Sequence, residues 1–108
     1  MERTIVVNVK TDEYDINIGR TPGKTLHFGN PFPLTSDKPE DRQKCIQRFS
    51  DWLFGRRFQD LEPERRKWII DNLHKLKGKR LGCYCKPLDC HGDVYAMVVN
   101  NHINIPYR

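Results

Sequence analysis

The hydrophobic pattern of this 108-residue chain predicts two strands near its start and a third near residue 80. Residues 4–9 form a β-branched run, and residues 14–18 alternate between apolar and polar positions, as half-buried strands do. Residues 81–85 are typical of a central strand. Residues 19–40 contain three glycines and four prolines, so we expect a long loop, and loops of this length are usually functional or disordered. Its apolar residues Leu26, Phe28 and Phe32 indicate that it is packed, either as part of a binding site or as a rigid lid over the core.

Apolar positions at helical spacing predict three helices. We expect the first over about residues 39–55, the second over about 63–78 and the third over 90–100. Asp37 and Asp89 are the expected N-caps of the first and third helices, because an aspartate side chain can accept from the exposed N–H groups of a helix start. The expected inner face of the third helix consists of Val94, Met97 and Val98.

Strands followed by helices, with a strand–short loop–helix unit near the end, predict a single small α/β domain over residues 1–108. We expect a short, mostly parallel sheet with about three helices. Residues 101–108 are expected to form a short edge strand or a packed arm. Open α/β sheets bind ligands beyond the carboxyl ends of their strands, so the segment after the third strand is the expected site.

The net charge of the chain indicates which kinds of partner are expected. The chain has 19 Lys and Arg residues against 14 Asp and Glu, a net charge of +5. A basic protein favours anionic partners such as nucleotides or nucleic acid, although the basic clusters are also typical of solvated helix faces. No apolar run reaches the roughly 18 residues of a membrane span, and the start lacks a signal-peptide pattern. We therefore expect a cytoplasmic protein with reduced cysteines and no membrane partner.

The candidate chemistry lies between residues 83 and 93. In one interpretation, the start of the third helix binds a small anion through its exposed N–H groups. His91 or Asp93 would then be an acid or base, and the helix start would make Cys90 a reactive thiolate. Gly92 would let a ligand approach the backbone closely.

Two other interpretations of this segment stay open. Cys83, Cys85, Cys90 and His91 lie within nine residues and are the ligand types of a zinc site. Their spacing counts against zinc, since neighbouring Cys90 and His91 would have difficulty converging on one ion. Alternatively, the cysteines are small core residues with no chemical role.

The glycine- and proline-rich loop supplies a second set of candidate groups. Asn tolerates unusual backbone geometry, and a residue before proline is pushed towards an extended conformation. Such a loop can present backbone groups and polar side chains to a ligand. The residues expected to contact a ligand, from this loop and the cysteine segment together, are Gly19, Arg20, Gly29, Asn30, Cys85 and Gly92.

Two motifs resemble the pattern of a family of small bacterial and phage proteins, domain of unknown function 4326. They are a G-N-P-F loop at residues 29–32 and a C-x-C-x-P-x-x-C-H-G-D segment at residues 83–93. The resemblance covers essentially the whole chain. The ending of the family pattern is similar to a second uncharacterised family with a Rossmann-like fold. That similarity implies a Rossmann-like α/β sandwich and a nucleotide-like ligand.

Together these observations predict a domain that binds a nucleotide, nucleoside or sugar-phosphate between residues 19–32 and 85–93. If the protein is an enzyme, we expect transfer or hydrolysis at a phosphate or N-glycosidic bond. The alternatives are a zinc-stabilised binding module and a basic nucleic-acid-binding accessory protein. No cofactor is expected other than zinc in the first alternative.

Overall fold

The computed structural model describes residues 3–21, 24–25, 28–33, 35–36 and 38–105. For residues 20–21 and 24–25 only the backbone is described. A short 3-10 helix occupies Leu73–Leu76. The regular elements in chain order are β1 (Ile5–Asn8), β2 (Ile16–Asn17), β3 (Arg20–Thr21), β4 (Lys24–Thr25), α1 (Pro39–Leu53), α2 (Pro63–Asn72), β5 (Arg80–Cys83) and α3 (His91–Asn100).

The main sheet is parallel, with β5 between β1 and β2. Leu81 pairs with Val6 on one side and with Ile16 on the other, and its side chain is fully buried. A parallel sheet buried in this way is characteristic of α/β proteins. Three helices and this sheet confirm the predicted α/β class. The strands are shorter than predicted, since the ladder extends only along the four residues of β5.

The expected loop over residues 19–40 contains regular structure that the sequence analysis did not predict. Strands β3 and β4 pair as an antiparallel hairpin, with Arg20 opposite Thr25. The intervening sequence, Pro-Gly, consists of residue types that favour turns. The prediction of an irregular loop throughout this segment was therefore wrong.

The second predicted helix is interrupted. Helix α2 ends at Asn72, and the chain tightens into the 3-10 helix before Gly78, which has a φ of 72°. A left-handed residue is readily supplied by glycine, which has no Cβ to clash. Helix α1 is followed by Gly55 in the same conformation, with a φ of 80°. The predicted N-cap of α1, Asp37, lies outside the described residues.

The cap of α3 differs from the prediction. Cys90, in extended conformation, is the N-cap, and the carboxylate of Asp93 accepts from its N–H at 3.1 Å. Asp89 is exposed, and it accepts instead from the side chain of Gln43 on α1 at 3.0 Å. The prediction of Asp89 as the cap was therefore wrong, because α3 begins one residue later than predicted, at His91, and Cys90 occupies the N-cap position.

The inner face of α3 is also rotated from the predicted one. Met97 is 43 % exposed, whereas Tyr95 is fully buried. The Tyr95 ring packs edge-on against Phe49 of α1, and its hydroxyl donates to the buried carbonyl oxygen of Phe28. The buried positions of this helix are Val94, Tyr95, Val98 and Val99, together with His91 and Gly92 in its first turn.

The chain after α3 has no strand within residues 101–105. Ile105 is buried, so this segment fits the packed arm rather than the edge strand. None of the helices in the described ranges has the length and apolar character needed to cross a membrane.

Candidate functional site

A cavity of about 490 Å³ lies at the carboxyl end of β5. Its wall is formed by the end of that strand and the segment after it, the start of α3, the first half of α1 and the loop before α1. This is the position at which a parallel sheet is expected to present a ligand site. The predicted site residues that line it are Gly19, Asn30, Cys83, Cys85, Cys90 and His91.

The other predicted site residues are placed differently. Gly29 is buried beside the cavity lining, and its carbonyl oxygen accepts from the Arg65 guanidinium at 2.7 Å. Gly92 and Asp93 lie in the first turn of α3 and are not among the lining residues. The side chain of Arg20 lies outside the described part of the structure. The proposed ligand contacts of these residues stay predictions.

Cys85, Cys83 and Cys90 form a chain of neighbouring thiols that line the cavity. The Cys83 thiol and burial raise the pKa of Cys85 well above its usual range. Cys85 acts to lower the pKa of Cys83, but the Cys90 thiol and burial outweigh this effect and raise that pKa to about 11. The Cys83 thiol and the Gly92 N–H lower the pKa of Cys90. Cys90 is therefore the thiol most easily ionised of the three.

His91 stands beside this chain of thiols, and it is only 6 % exposed. Its Nε2 lies 2.9 Å from the carbonyl oxygen of Ile18 and 3.2 Å from that of Phe28. Because a carbonyl oxygen only accepts, the neutral ring carries its proton on Nε2 and its lone pair on Nδ1. The ring packs edge-on against Phe49, with centroids 5.1 Å apart. The imidazole is thus fixed in both orientation and tautomer.

The potential metal-ligating atoms of Cys83, Cys90 and His91 lie close together. One ligand atom from each lies within 4.8 Å of the other two, and all three residues are buried. Cys85, the fourth residue of the predicted zinc set, lies outside this group. The sequence spacing argued against convergence of neighbouring Cys90 and His91, yet the structure brings their ligand atoms together.

A family model described as a domain of unknown function, DUF4326, matches residues 5–101. This chain belongs to the DUF4326 family. It is similar to an uncharacterised 12.4 kDa protein of the nrdA-td intergenic region of Enterobacteria phage T4, with 35 % identity over 95 residues. The alignment covers 88 % of this chain and 76 % of the phage protein. No solved structure matches the chain significantly.

In this DUF4326 chain, helix α1 contributes three cavity residues that the sequence analysis did not assign to the site, Arg42, Cys45 and Ile46. Arg42 is only 9 % exposed, its guanidinium donates to the Asp89 carbonyl oxygen at 3.3 Å, and its charge acts to lower the pKa of the Cys85 thiol. Cys45, one turn later, is also buried and bonds the Asn30 side chain at 3.4 Å. All four cysteines of the chain therefore line one cavity.

A sequence signal for Arg42 did exist. Residue 42 lies three positions before Cys45 and seven before Phe49, so it continues the apolar face of α1. An arginine on the buried face of an amphipathic helix is unusual, because a buried charge needs partners. This position was therefore a candidate functional residue from the sequence alone.

Asp93 has a structural function at the start of α3. Its Oδ2 accepts from the Cys90 N–H at 3.1 Å, and its Oδ1 accepts from the Lys86 ammonium at 2.7 Å. The first bond caps the helix, and the second fixes the turn between β5 and α3 to its first residues. The role of Asp93 as an acid or base stays a prediction.

Proposed function

We propose that the cavity binds a small anionic ligand with a planar ring, and that a nucleotide is the chemical class it fits. The observation that carries this proposal is the buried Arg42 guanidinium in the wall of a cavity that two aromatic side chains, Phe32 and Tyr84, also line. The guanidinium can bind the phosphate of a nucleotide, and the two aromatic rings can stack against its base.

Arg42 is suited to a phosphate because of its shape and its surroundings. A guanidinium offers planar, paired N–H donors that match the oxygens of a phosphate or carboxylate. At a buried position this attraction is less screened by water than it would be at the surface. The bond to the Asp89 carbonyl oxygen holds the side chain at the wall.

The aromatic pair provides surfaces for stacking a base. The Tyr84 ring is 40 % exposed and lies close to Gly19, where an added Cβ would come within 2.8 Å of it. The Phe32 ring is half-buried and rests against Phe58, with centroids 4.9 Å apart. Stacking on an aromatic side chain contributes about 1–3 kcal/mol per base. A chemical step on the ligand, at its phosphate or N-glycosidic bond, stays a prediction.

The test is isothermal titration calorimetry of the full chain with AMP, adenosine and ribose 5-phosphate at low and high salt. We expect AMP to bind more tightly than either part. We expect Arg42→Gln to weaken AMP binding at least about tenfold, since a hydrogen bond to a charged group contributes about 1.5–3 kcal/mol. Arg48→Gln, an exposed arginine on the same helix, is the matched control and should bind as the wild type does.

Two results would overturn the proposal. One is the absence of millimolar or tighter binding to all three compounds. The other is equal AMP binding by wild type and Arg42→Gln, with circular dichroism showing that the variant is folded. Binding to duplex nucleic acid alone, falling steeply with salt, would also count against the proposal and favour the accessory-protein alternative.

A further inference from the structure

The base of the cavity contains a set of side chains that nucleotide binding does not use. Cys83, Cys90 and His91 are each at least 94 % buried, and their ligand atoms lie within 4.8 Å of one another. In a tetrahedral zinc site two thiolate sulfurs are about 3.7 Å apart, given Zn–S bonds of about 2.3 Å. A contraction of about 1 Å would bring these atoms to ligation distance.

We propose that Cys83, Cys90 and His91 bind one metal ion that prefers sulfur and nitrogen ligands, Zn²⁺ or an ion like it. The fourth coordination position of this ion would face the cavity. Thiolate sulfur and imidazole nitrogen are the ligands that Zn²⁺ prefers, and three protein ligands leave one position open. The inference goes beyond the proposed function and does not depend on it, because no part of the argument uses the nucleotide.

His91 is prepared for this role by its surroundings. A metal-binding histidine usually donates its second ring N–H to a carbonyl or carboxylate, which fixes the ring and the tautomer. Here Nε2 lies 2.9 Å from the Ile18 carbonyl oxygen and 3.2 Å from that of Phe28. The ligand nitrogen would be Nδ1.

The backbone explains how adjacent residues can share one ion. Cys90 is extended, with φ −152° and ψ 173°, whereas His91 is the first residue of α3. The chain therefore changes direction between them, and two neighbouring side chains can face the same point. Cys83 reaches that point from the end of β5, the central strand.

The charge balance also fits a buried ion. Two thiolates and a neutral imidazole would make a complex with Zn²⁺ that has no net charge, so burial costs less than it would for an isolated ion. Binding must displace the thiol protons, since the thiolate is the ligand form of cysteine. We expect about two protons to be released for each ion bound at neutral pH.

The experiment is a titration of the reduced, chelator-treated full chain with Co²⁺, followed by competition with Zn²⁺. We expect saturation at one Co²⁺ per chain, with thiolate-to-cobalt charge-transfer absorption that Zn²⁺ removes. Cys83→Ser, Cys90→Ser and His91→Gln should each weaken uptake at least about tenfold, because a tetrahedral site needs each of its protein ligands. Cys45→Ser is the matched control, since Cys45 is buried and lines the same cavity but is outside the ligand group.

A measurement on the wild type protects the test against variants that do not fold. Native mass spectrometry of the zinc-loaded protein should show one added zinc that is lost on denaturation. Failure of the wild type to take up Co²⁺ or Zn²⁺ overturns the inference, and so does equal uptake by folded Cys90→Ser. AMP titration of the metal-free chain separates the two proposals: AMP binding without metal uptake removes only this inference, and metal uptake without AMP binding removes only the proposed function.

Discussion

The Tyr95 hydroxyl donates to the carbonyl oxygen of Phe28 at 2.9 Å, which joins α3 to the loop before α1 across 67 positions of the chain. His91 lies one helical turn earlier, and its Nε2 is 3.2 Å from the same oxygen. Two residues later in the loop, Asn30 lines the cavity. The start and middle of α3 thus hold the loop in the position that forms one cavity wall.

Tyr95→Phe removes this bond and retains the ring. We expect the free energy of unfolding to fall by about 1 kcal/mol, the usual contribution of one buried hydrogen bond. The loss is moderated because His91 still contacts the Phe28 oxygen. Urea denaturation measures it, with Tyr84→Phe, an exposed tyrosine, as the control. An unchanged midpoint for Tyr95→Phe would mean that the bond contributes nothing to stability.

Thr4, the residue before β1, binds the end of the 3-10 helix and the turn after it through its buried hydroxyl. Its Oγ1 donates to the Leu76 carbonyl oxygen at 2.9 Å and accepts from the Gly78 N–H at 2.8 Å. Thr4→Val keeps the shape but leaves both groups without this partner, so we expect a loss of about 2–4 kcal/mol. Thr4→Ser keeps the hydroxyl and should lose clearly less. If both variants were equally destabilised, the methyl group and not the hydroxyl would be responsible.

The elements that could be predicted are those for which the turn residues and the apolar spacing indicate the same secondary structure. Prolines, glycines and apolar spacing located three helices, and the cysteine segment was placed at a strand-to-helix junction. Local cues failed where a shift of one or two residues changes the outcome. Helix α3 begins at His91, so Cys90 and not Asp89 is the N-cap, and Asp93 accepts from the Cys90 N–H. Tyr95 and not Met97 lies on the buried face, because tertiary packing encloses its ring.

The candidate site could be predicted only where its residues are close in sequence. The thiols of Cys83 and Cys90 come from one motif, whereas Arg42 and Cys45 reach the cavity from α1, about forty residues earlier. That approach depends on how α1 packs against α3, which no local pattern specifies. The convergence of Cys90 and His91 depends on a backbone direction that spacing alone does not give.

The ion pair of Asp15 with Arg80 joins the residue before β2 to β5 and makes stability depend on pH. Hydrogen bonds from the Arg80 side chain and backbone lower the pKa of Asp15 to about 2, below the usual value of about 3.9. A carboxyl group whose pKa is lowered by folding stabilises the protein above its unfolded value and loses that effect as pH falls through the folded value. We therefore expect the stability of the wild type to fall between about pH 4 and pH 2.

Urea midpoints of wild type and Asp15→Asn across this range test the assignment. The variant should be less stable at neutral pH and should show a flatter dependence below pH 4, because it has lost the titrating group. Asp60→Asn, at an exposed position, should keep the wild-type slope. Equal slopes for wild type and Asp15→Asn would show that other carboxylates control acid unfolding.

A substitution of Gly92 can show whether this residue is needed for packing or for ligand binding. The sequence suggested that its small size lets a ligand approach, whereas a Cβ added there would lie 2.7 Å from Ile18 Cδ1 and 3.0 Å from Val6 Cγ1. These atoms belong to the sheet side of α3, where Ile18 is fully buried and has little room to move. We therefore expect Gly92→Ala to lose about 1–3 kcal/mol of unfolding free energy by overpacking.

The comparison variant is Met97→Ala, on the exposed side of the same helix, which should stay within about 0.5 kcal/mol of the wild type. AMP titration of both variants, at a temperature where each is folded, gives the second measurement. A stable Gly92→Ala that no longer binds AMP would assign the residue to the ligand. A destabilised variant that still binds AMP would assign it to the contact between α3 and the sheet, as its neighbours Ile18 and Val6 predict.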